Sequence, residues 1–94
     1  IIRNLAADGW NGLLRFYEGE TWRLSGRPGD SDLAASSYAA AVGFPDAPPE
    51  AWRAHGQALA ASGRREEARV ALERYLAMAP NAPDAEMVRY ALQQ

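Results

Sequence analysis

Two pairs of glycines set the frame of this 94-residue chain. Gly19 and Gly26 lie seven residues apart, as do Gly56 and Gly63, and the second pair follows the first by 37 residues. A fixed offset between like residues marks an internal repeat, and repeats of this length build stacked supersecondary units rather than one central core. With that shift, Trp22 lies over Leu59. The loop after Gly26 is three residues longer than the loop after Gly63. With those three set aside, Ala34 lies over Ala68, Tyr38 over Leu72 and Ala41 over Tyr75, so the underlying period is 34.

The repeating unit is helical. Ala supplies 20 residues, whereas Val, Ile and Thr together supply six. Ala is the strongest helix former, and the depleted types favour strands. Glycine and proline punctuate the chain at Asp8–Gly12, Gly26–Asp30, Phe44–Pro49, Ser62–Gly63 and Pro80–Pro83. The stretches between them predict the end of a helix over 1–7, then helices over 12–25, 31–43, 48–62, 64–79 and 83–93. Asn11 and Asp30 are the expected N-caps of the second and third. Pro48-Pro49 and Pro83-Asp84 suit first turns. Ala34, Ser37, Tyr38, Ala41 and Val42 form an apolar stripe at helical spacing, as do Ala68, Ala71, Leu72, Tyr75, Leu76 and Ala79. Short connections make consecutive helices antiparallel neighbours.

Several function classes recede on composition. There is no Cys and only one His, which removes thiolate zinc sites and leaves little for a His-based metal site or triad. All ten basic residues are Arg, set against twelve acidic residues, and the net charge of −2 argues against a nucleic-acid footprint. No window is apolar enough for membrane insertion. The opening Ile1-Ile2-Arg3-Asn4 reads as a piece of a longer protein.

Within residues 49–82, Trp52, Gly56, Leu59, Gly63, Ala68, Leu72 and Pro80 stand at the signature spacing of the tetratricopeptide repeat, which the chain resembles. The resemblance implies an all-α fold of antiparallel helix hairpins stacked in a right-handed superhelix. Gly56 and Ala68 would let paired helices approach closely, Gly63 would supply a left-handed turn, and Trp52 would fill the space between neighbouring pairs. His55 and Tyr75 depart from the pattern, where the family has Leu and Ala. On this reading residues 1–11 end a preceding repeat, 12–48 form a degenerate first repeat with a longer inter-helix loop, 49–82 form a second, and 83–94 are a C-terminal capping helix. In the first repeat Arg15 and Glu18 replace the family's aromatic and Leu, so Leu14, Tyr17 and Trp22 are expected to fill that space. Met87, Val88, Tyr90, Ala91 and Leu92 would give the last helix its apolar area.

Repeats of this family bind partners in a concave groove lined by the first helix of each pair. The resemblance places Leu13, Phe16, Glu20, Arg23 and Leu24 there from the first repeat, and Glu50, Arg53, Gln57, Ala60 and Ala61 from the second. Asp84, Met87 and Ala91 would join them from the last helix. The central set is Leu13, Phe16, Glu20, Arg23, Leu24, Arg53, Gln57 and Met87. Of the positions that clamp a C-terminal carboxylate in some relatives (Phe16, Glu20, Arg53 and Gln57 here), only Arg53 fits, so that clamp is rejected. The expected function is a non-catalytic module for a protein or peptide partner, with no cofactor or metal. Two alternatives remain: self-association through an open N-terminal end, or an accessory domain of a larger bacterial envelope enzyme such as a zinc peptidase. Phe16–Glu20, the Pro45–Ala51 linker and the Tyr75–Asp84 ending resemble repeat tails of envelope proteins, which favours the periplasm or envelope. No HExxH motif is present.

Other candidates read as structure. His55 is a lone core histidine. Asp30 and Asp32 lack the further oxygen ligands of a calcium loop. Glu18 and Glu20 point apart on a helix, and Glu18 pairs with Arg15. The Arg64–Arg74 charges make a solvated face on which Glu66 can reach Arg69 and Arg69 can reach Glu73.

Overall fold

The computed structural model describes residues 11–93, and five helices account for most of them. They are α1 (Asn11–Ser25), α2 (Asp30–Ala41), α3 (Pro49–Ala61), α4 (Arg65–Met78) and α5 (Ala85–Leu92). No strand occurs among the described residues. The helix end expected over residues 1–7 lies outside them. α1 pairs with α2 and α3 with α4, α2 meets α3, and α5 lies against α4.

The roles that the resemblance implies for Gly56 and Gly63 are found at both glycine pairs. Gly26 and Gly63 have φ of 70° and 81°, the left-handed region that a side chain disfavours, and each follows the first helix of a hairpin. Gly19 and Gly56 are contact points between paired helices. A Cβ on Gly19 would lie 2.6 Å from Tyr38 Cε1, and one on Gly56 would lie 2.7 Å from Leu72 Cγ. Tyr38 and Leu72 are the residues that the 37-residue shift, corrected for the longer loop, had superposed. The two hairpins therefore close in the same way.

That longer loop carries a third left-handed glycine, Gly29, with φ of 88°. Gly29, not Asp30, is the cap residue of α2. Asp30 is the first helical residue and is buried. Its carboxylate accepts hydrogen bonds from Ser25 Oγ and from Arg27 Nε at 3.1 Å, so it ties the loop to itself instead of capping. Asn11 likewise falls inside α1 rather than before it. Asp46, 34 residues away, accepts the Gly12 N–H at 2.9 Å. A Cβ on Gly12 would meet the Ala47 backbone at 2.8 Å, so this glycine lets the linker lie across the start of α1.

The core is a series of patches, as expected where neighbours stack without a centre. Phe16, Ala34, Tyr38, Ala41, Ala47, Ala51 and Ala54 form the first, spanning α1, α2 and α3. Leu59, Ala68 and Ala71 form the second, and Leu72, Tyr75 and Val88 the third. Trp52 lies against the second and third, so it braces its own hairpin and α5.

The filling of the first hairpin differs from expectation. Leu14 and Tyr17 are exposed, and only Trp22 of the three expected residues packs inward. Phe16 takes the space instead. It is 8% exposed, with its ring centroid 6.0 Å from that of Tyr38. A large aromatic gains more by burial than Leu14 or Tyr17 could on the outer face. α5 also covers less than expected. Ala85 and Val88 are buried, but Met87 and Tyr90 are 75% and 66% exposed. Tyr90 lies 34 residues after Gly56, at the close-approach position of a hairpin, where its ring would keep a further paired helix at a distance.

Candidate functional site

A cleft of about 610 Å³ opens between the first hairpin and α3. Its apolar surface is mostly alanine: Ala34 and Ala35 from α2, and Ala54, Ala58 and Ala61 from α3. Tyr38 stands beside them. Glu20, Arg23, Asp32, Arg53, Gln57 and Asp84 supply the polar part. Small side chains on both walls are what keep the space open.

Two clusters of tyrosine, carboxylate and arginine flank the cleft. In the first, Glu20 accepts from Arg23 Nε at 2.7 Å and from the Tyr38 hydroxyl. The Arg23 hydrogen bond leads in holding the Glu20 carboxyl below its ordinary range. Burial, then the hydrogen bond to Glu20, pushes the Tyr38 phenol up to about 12. In the second, Asp84 accepts from the Tyr75 hydroxyl and from Arg53 Nη1 at 2.9 Å. The Tyr75 bond comes first and the Arg53 bond also contributes in lowering Asp84, while burial raises Tyr75. The Arg53 guanidinium also sits 5.7 Å from the Tyr75 ring centroid. Both phenols keep their protons at neutral pH, and both arginine charges are cancelled by a carboxylate.

Of the groove residues expected from sequence, Glu20, Arg23, Arg53 and Gln57 line this cleft, with Ala61 and Asp84. The expected apolar end is absent. Phe16 is in the core, Leu24 is 73% exposed, and neither Leu24, Leu13 nor Met87 lines the cleft. Leu13 is half-buried beside the Asp46 carboxylate. Glu50, Ala60 and Ala91 face other hollows. The sequence reading missed Ser31, Asp32, Ala34, Ala35 and Tyr38 on the second helix of the pair, and Ala54, Ala58 and Ser62 on or just after α3. It also missed the pairing of Tyr75 with Asp84. A signal was present there, because a large Tyr replacing a small residue in a packed position needs a partner for its hydroxyl.

A second hollow of about 360 Å³ is lined by Ala60, Arg65, Glu66, Ala68, Arg69, Leu72, Ala91 and Leu92. These residues correspond through the repeat to Arg23, Ser31, Asp32, Ala34, Ala35, Tyr38, Gln57 and Ala58 of the larger cleft. The two are one feature, built twice. They differ in size and in what spans them. Arg69, at the place of Ala35, reaches across the second and donates to the Leu92 carbonyl at 3.0 Å. Arg69 thus bonds to α5, not to Glu66 or Glu73.

The remaining candidates sit in packing or on the surface. His55 is half-buried with its ring 6.5 Å from Trp52, and burial lowers its pKa. Glu18 pairs with Arg15 at 3.3 Å and also accepts from Ser37 Oγ at 2.9 Å, joining α1 to α2. Arg64 grips Glu67 through two bonds of 2.8 Å. Among the described residues no group of His, Cys, Asp and Glu could hold a metal ion, and no helix is long and apolar enough to cross a membrane.

Comparison with known proteins adds one finding. The family model of the tetratricopeptide repeat matches residues 49–92, the span of α3, α4 and α5. No curated protein and no solved structure matches the chain.

Proposed function

The chain carries a tetratricopeptide repeat over residues 49–92, and from that premise we propose that it is a non-catalytic interaction module whose open cleft receives a short segment of a partner protein. Repeats of this family are in general protein–protein interaction modules. We read α1 and α2 as a second, diverged copy. The support is the shared close approach of Gly19 to Tyr38 and of Gly56 to Leu72.

The observation that carries the proposal is the alanine-walled opening at one junction of a repeated scaffold. Its volume falls within the range of pockets that bury a ligand. Glu20 is held by Tyr38 and Arg53 by Asp84, each on a neighbouring element, so this part of the walls is preorganised and needs little ordering on binding.

Filling the cleft tests this. Ala58 is half-buried on the α3 wall, and Ala58→Trp projects an indole into the space. Peptides selected from a random display library on the native chain should lose at least about tenfold in affinity for this variant, one well-packed anchor being worth ~1.4 kcal/mol or more. They should bind unchanged to Val70→Gln, an exposed site outside every hollow described above. Equal binding to all three proteins would sink the cleft as the binding surface.

A further inference from the structure

We propose that the open cleft selects a segment carrying a basic residue next to bulky apolar ones. This inference rests on the cleft being the binding surface and adds the chemistry of the occupant.

The charges in the cleft carry the first half of the argument. Five ionised side chains line it: Glu20, Asp32 and Asp84 against Arg23 and Arg53. Arg23 is engaged by Glu20 at 2.7 Å and Arg53 by Asp84 at 2.9 Å. Each of those carboxylates also accepts a tyrosine hydroxyl. Asp32 is exposed on the first turn of α2 and takes part in no ion pair among the described residues. The surplus of the cleft is therefore one carboxylate at its lip. An acidic segment would meet that charge and find both arginines already cancelled. A guanidinium or ammonium group would gain a partner.

The alanine walls carry the second half. Ala34, Ala35, Ala54, Ala58 and Ala61 present methyl groups around a space that no side chain among the described residues fills. Inserting leucine or a similar side chain removes apolar surface of both partners from water, at roughly 25 cal/mol per Å². Gln57 is exposed at the edge and offers an amide to the incoming backbone. The repeat-related hollow shows the opposite balance, with Arg65 and Arg69 against Glu66, so the preference belongs to one junction and not to the scaffold.

Three labelled, end-blocked hexapeptides test the proposal on the whole chain by fluorescence anisotropy. They are identical, with two adjacent leucines, except that the next residue is Arg, Gln or Glu. Affinity should fall in the order Arg, Gln, Glu, by roughly threefold to fivefold from first to last, as for one exposed ion pair. Raising salt to about 1 M, where screening acts within ~3 Å, should compress the order. Asp32→Asn should abolish it while binding persists, and Ala58→Trp should abolish binding of all three. If the three peptides bind alike and Ala58→Trp still abolishes binding, the basic preference is wrong and the cleft stands. If Ala58→Trp, folded as judged by circular dichroism, binds all three as the native chain does, the cleft itself is wrong. A preference for Arg that survives Asp32→Asn would also overturn the assignment.

Discussion

The two junctions of this molecule use one backbone plan with opposite chemistry. At the first, α1 meets α3 through Phe16, which lies in one apolar patch with Ala47, Ala51 and Ala54. At the second, α3 meets α5 through Arg53, which holds Asp84 under the Tyr75 hydroxyl. Phe16 and Arg53 are 37 residues apart and equivalent in the repeat. Within each hairpin, by contrast, the close glycine is kept. Close approach of paired helices is a steric requirement that few residues satisfy. A junction needs only that its groups be buried or paired, so its chemistry is free to vary. The junctions also differ in what spans them: Arg69 crosses the smaller hollow, and no side chain among the described residues does the same in the alanine-walled cleft.

The largest effect should come from truncating the two equivalent junction residues. Phe16→Ala removes a buried ring and should cost ~3–4 kcal/mol. Arg53→Ala removes a half-exposed ion pair and some stacking, and should cost about 1 kcal/mol. Urea unfolding followed by circular dichroism measures both. Equal losses would mean that the junctions do not differ as their chemistry implies.

A second contrast lies inside the hairpins. Gly19→Ala drives a methyl into the Tyr38 ring, which is rigid and tied to Glu20. Overpacking of this kind costs about 1–3 kcal/mol, and the helix propensity of alanine returns about 1. Gly56→Ala meets Leu72, whose side chain can turn away. We expect a net loss of ~1–2 kcal/mol at Gly19 and less than about 1 at Gly56, read as a difference in midpoint temperature of several degrees. The reverse order would show that the Tyr38 ring is the more yielding wall.

These glycines also mark what the sequence made legible. Steric requirements recur at fixed offsets: spacing carried the repeat, the family resemblance implied the close approach at Gly56 and the left-handed turn at Gly63, and the structure shows the same features at Gly19 and Gly26. The junctions could not be read this way. Phe16 was assigned to a groove by its place in a repeat pattern, but a phenylalanine there buries itself wherever alanines face it. Asp46 accepts the Gly12 N–H from 34 residues away, and no local pattern announces such a contact. Asp30 and Asp84 carry the residue type of an N-cap, yet their carboxylates bond to Ser25 and Tyr75, partners that only the folded chain supplies. The cleft was half legible: four of its polar residues fell out of the first-helix pattern, while the α2 wall depends on how far the hairpins splay.

Acid should separate the junctions with a smaller effect. The Tyr75 and Arg53 bonds hold Asp84 below its ordinary 3.8. A carboxylate depressed in the folded state adds stability above its unfolded pKa, and that stability is lost as pH falls through the folded value. The docking of α5 should therefore weaken as pH drops below about 3.8. The one titratable member of the Phe16 patch, Tyr38, is pushed up to about 12 and stays protonated through the acid range, so the patch is expected to hold better. Methyl resonances of Val88 and amide exchange in α5 would follow the loss. In Asp84→Asn that pH dependence should flatten, with α5 already weakened at neutral pH. If α1 and α5 loosen together in the native chain, the acid response is global rather than seated at the polar junction.

The smallest expected effect on stability is the most direct test of the comparison. Arg69→Ala removes an exposed bond to the Leu92 carbonyl and should cost less than about 1 kcal/mol. It also makes the second hollow resemble the first, because Ala35 stands at the equivalent place. With the strap gone, amide exchange at the end of α5 should quicken, while α1 and α2 are unchanged. The hollow then has two alanines on the α4 wall, as the open cleft has on α2, but keeps Arg65 and Glu66 at its lip. If openness alone makes a binding surface, the arginine hexapeptide should bind Arg69→Ala at two sites per chain. If the free carboxylate of Asp32 and the Ala58 wall are also required, the count should stay at one, because Leu92 stands where Ala58 does. The second outcome is the one expected from the chemistry of the two lips, and calorimetric stoichiometry distinguishes them.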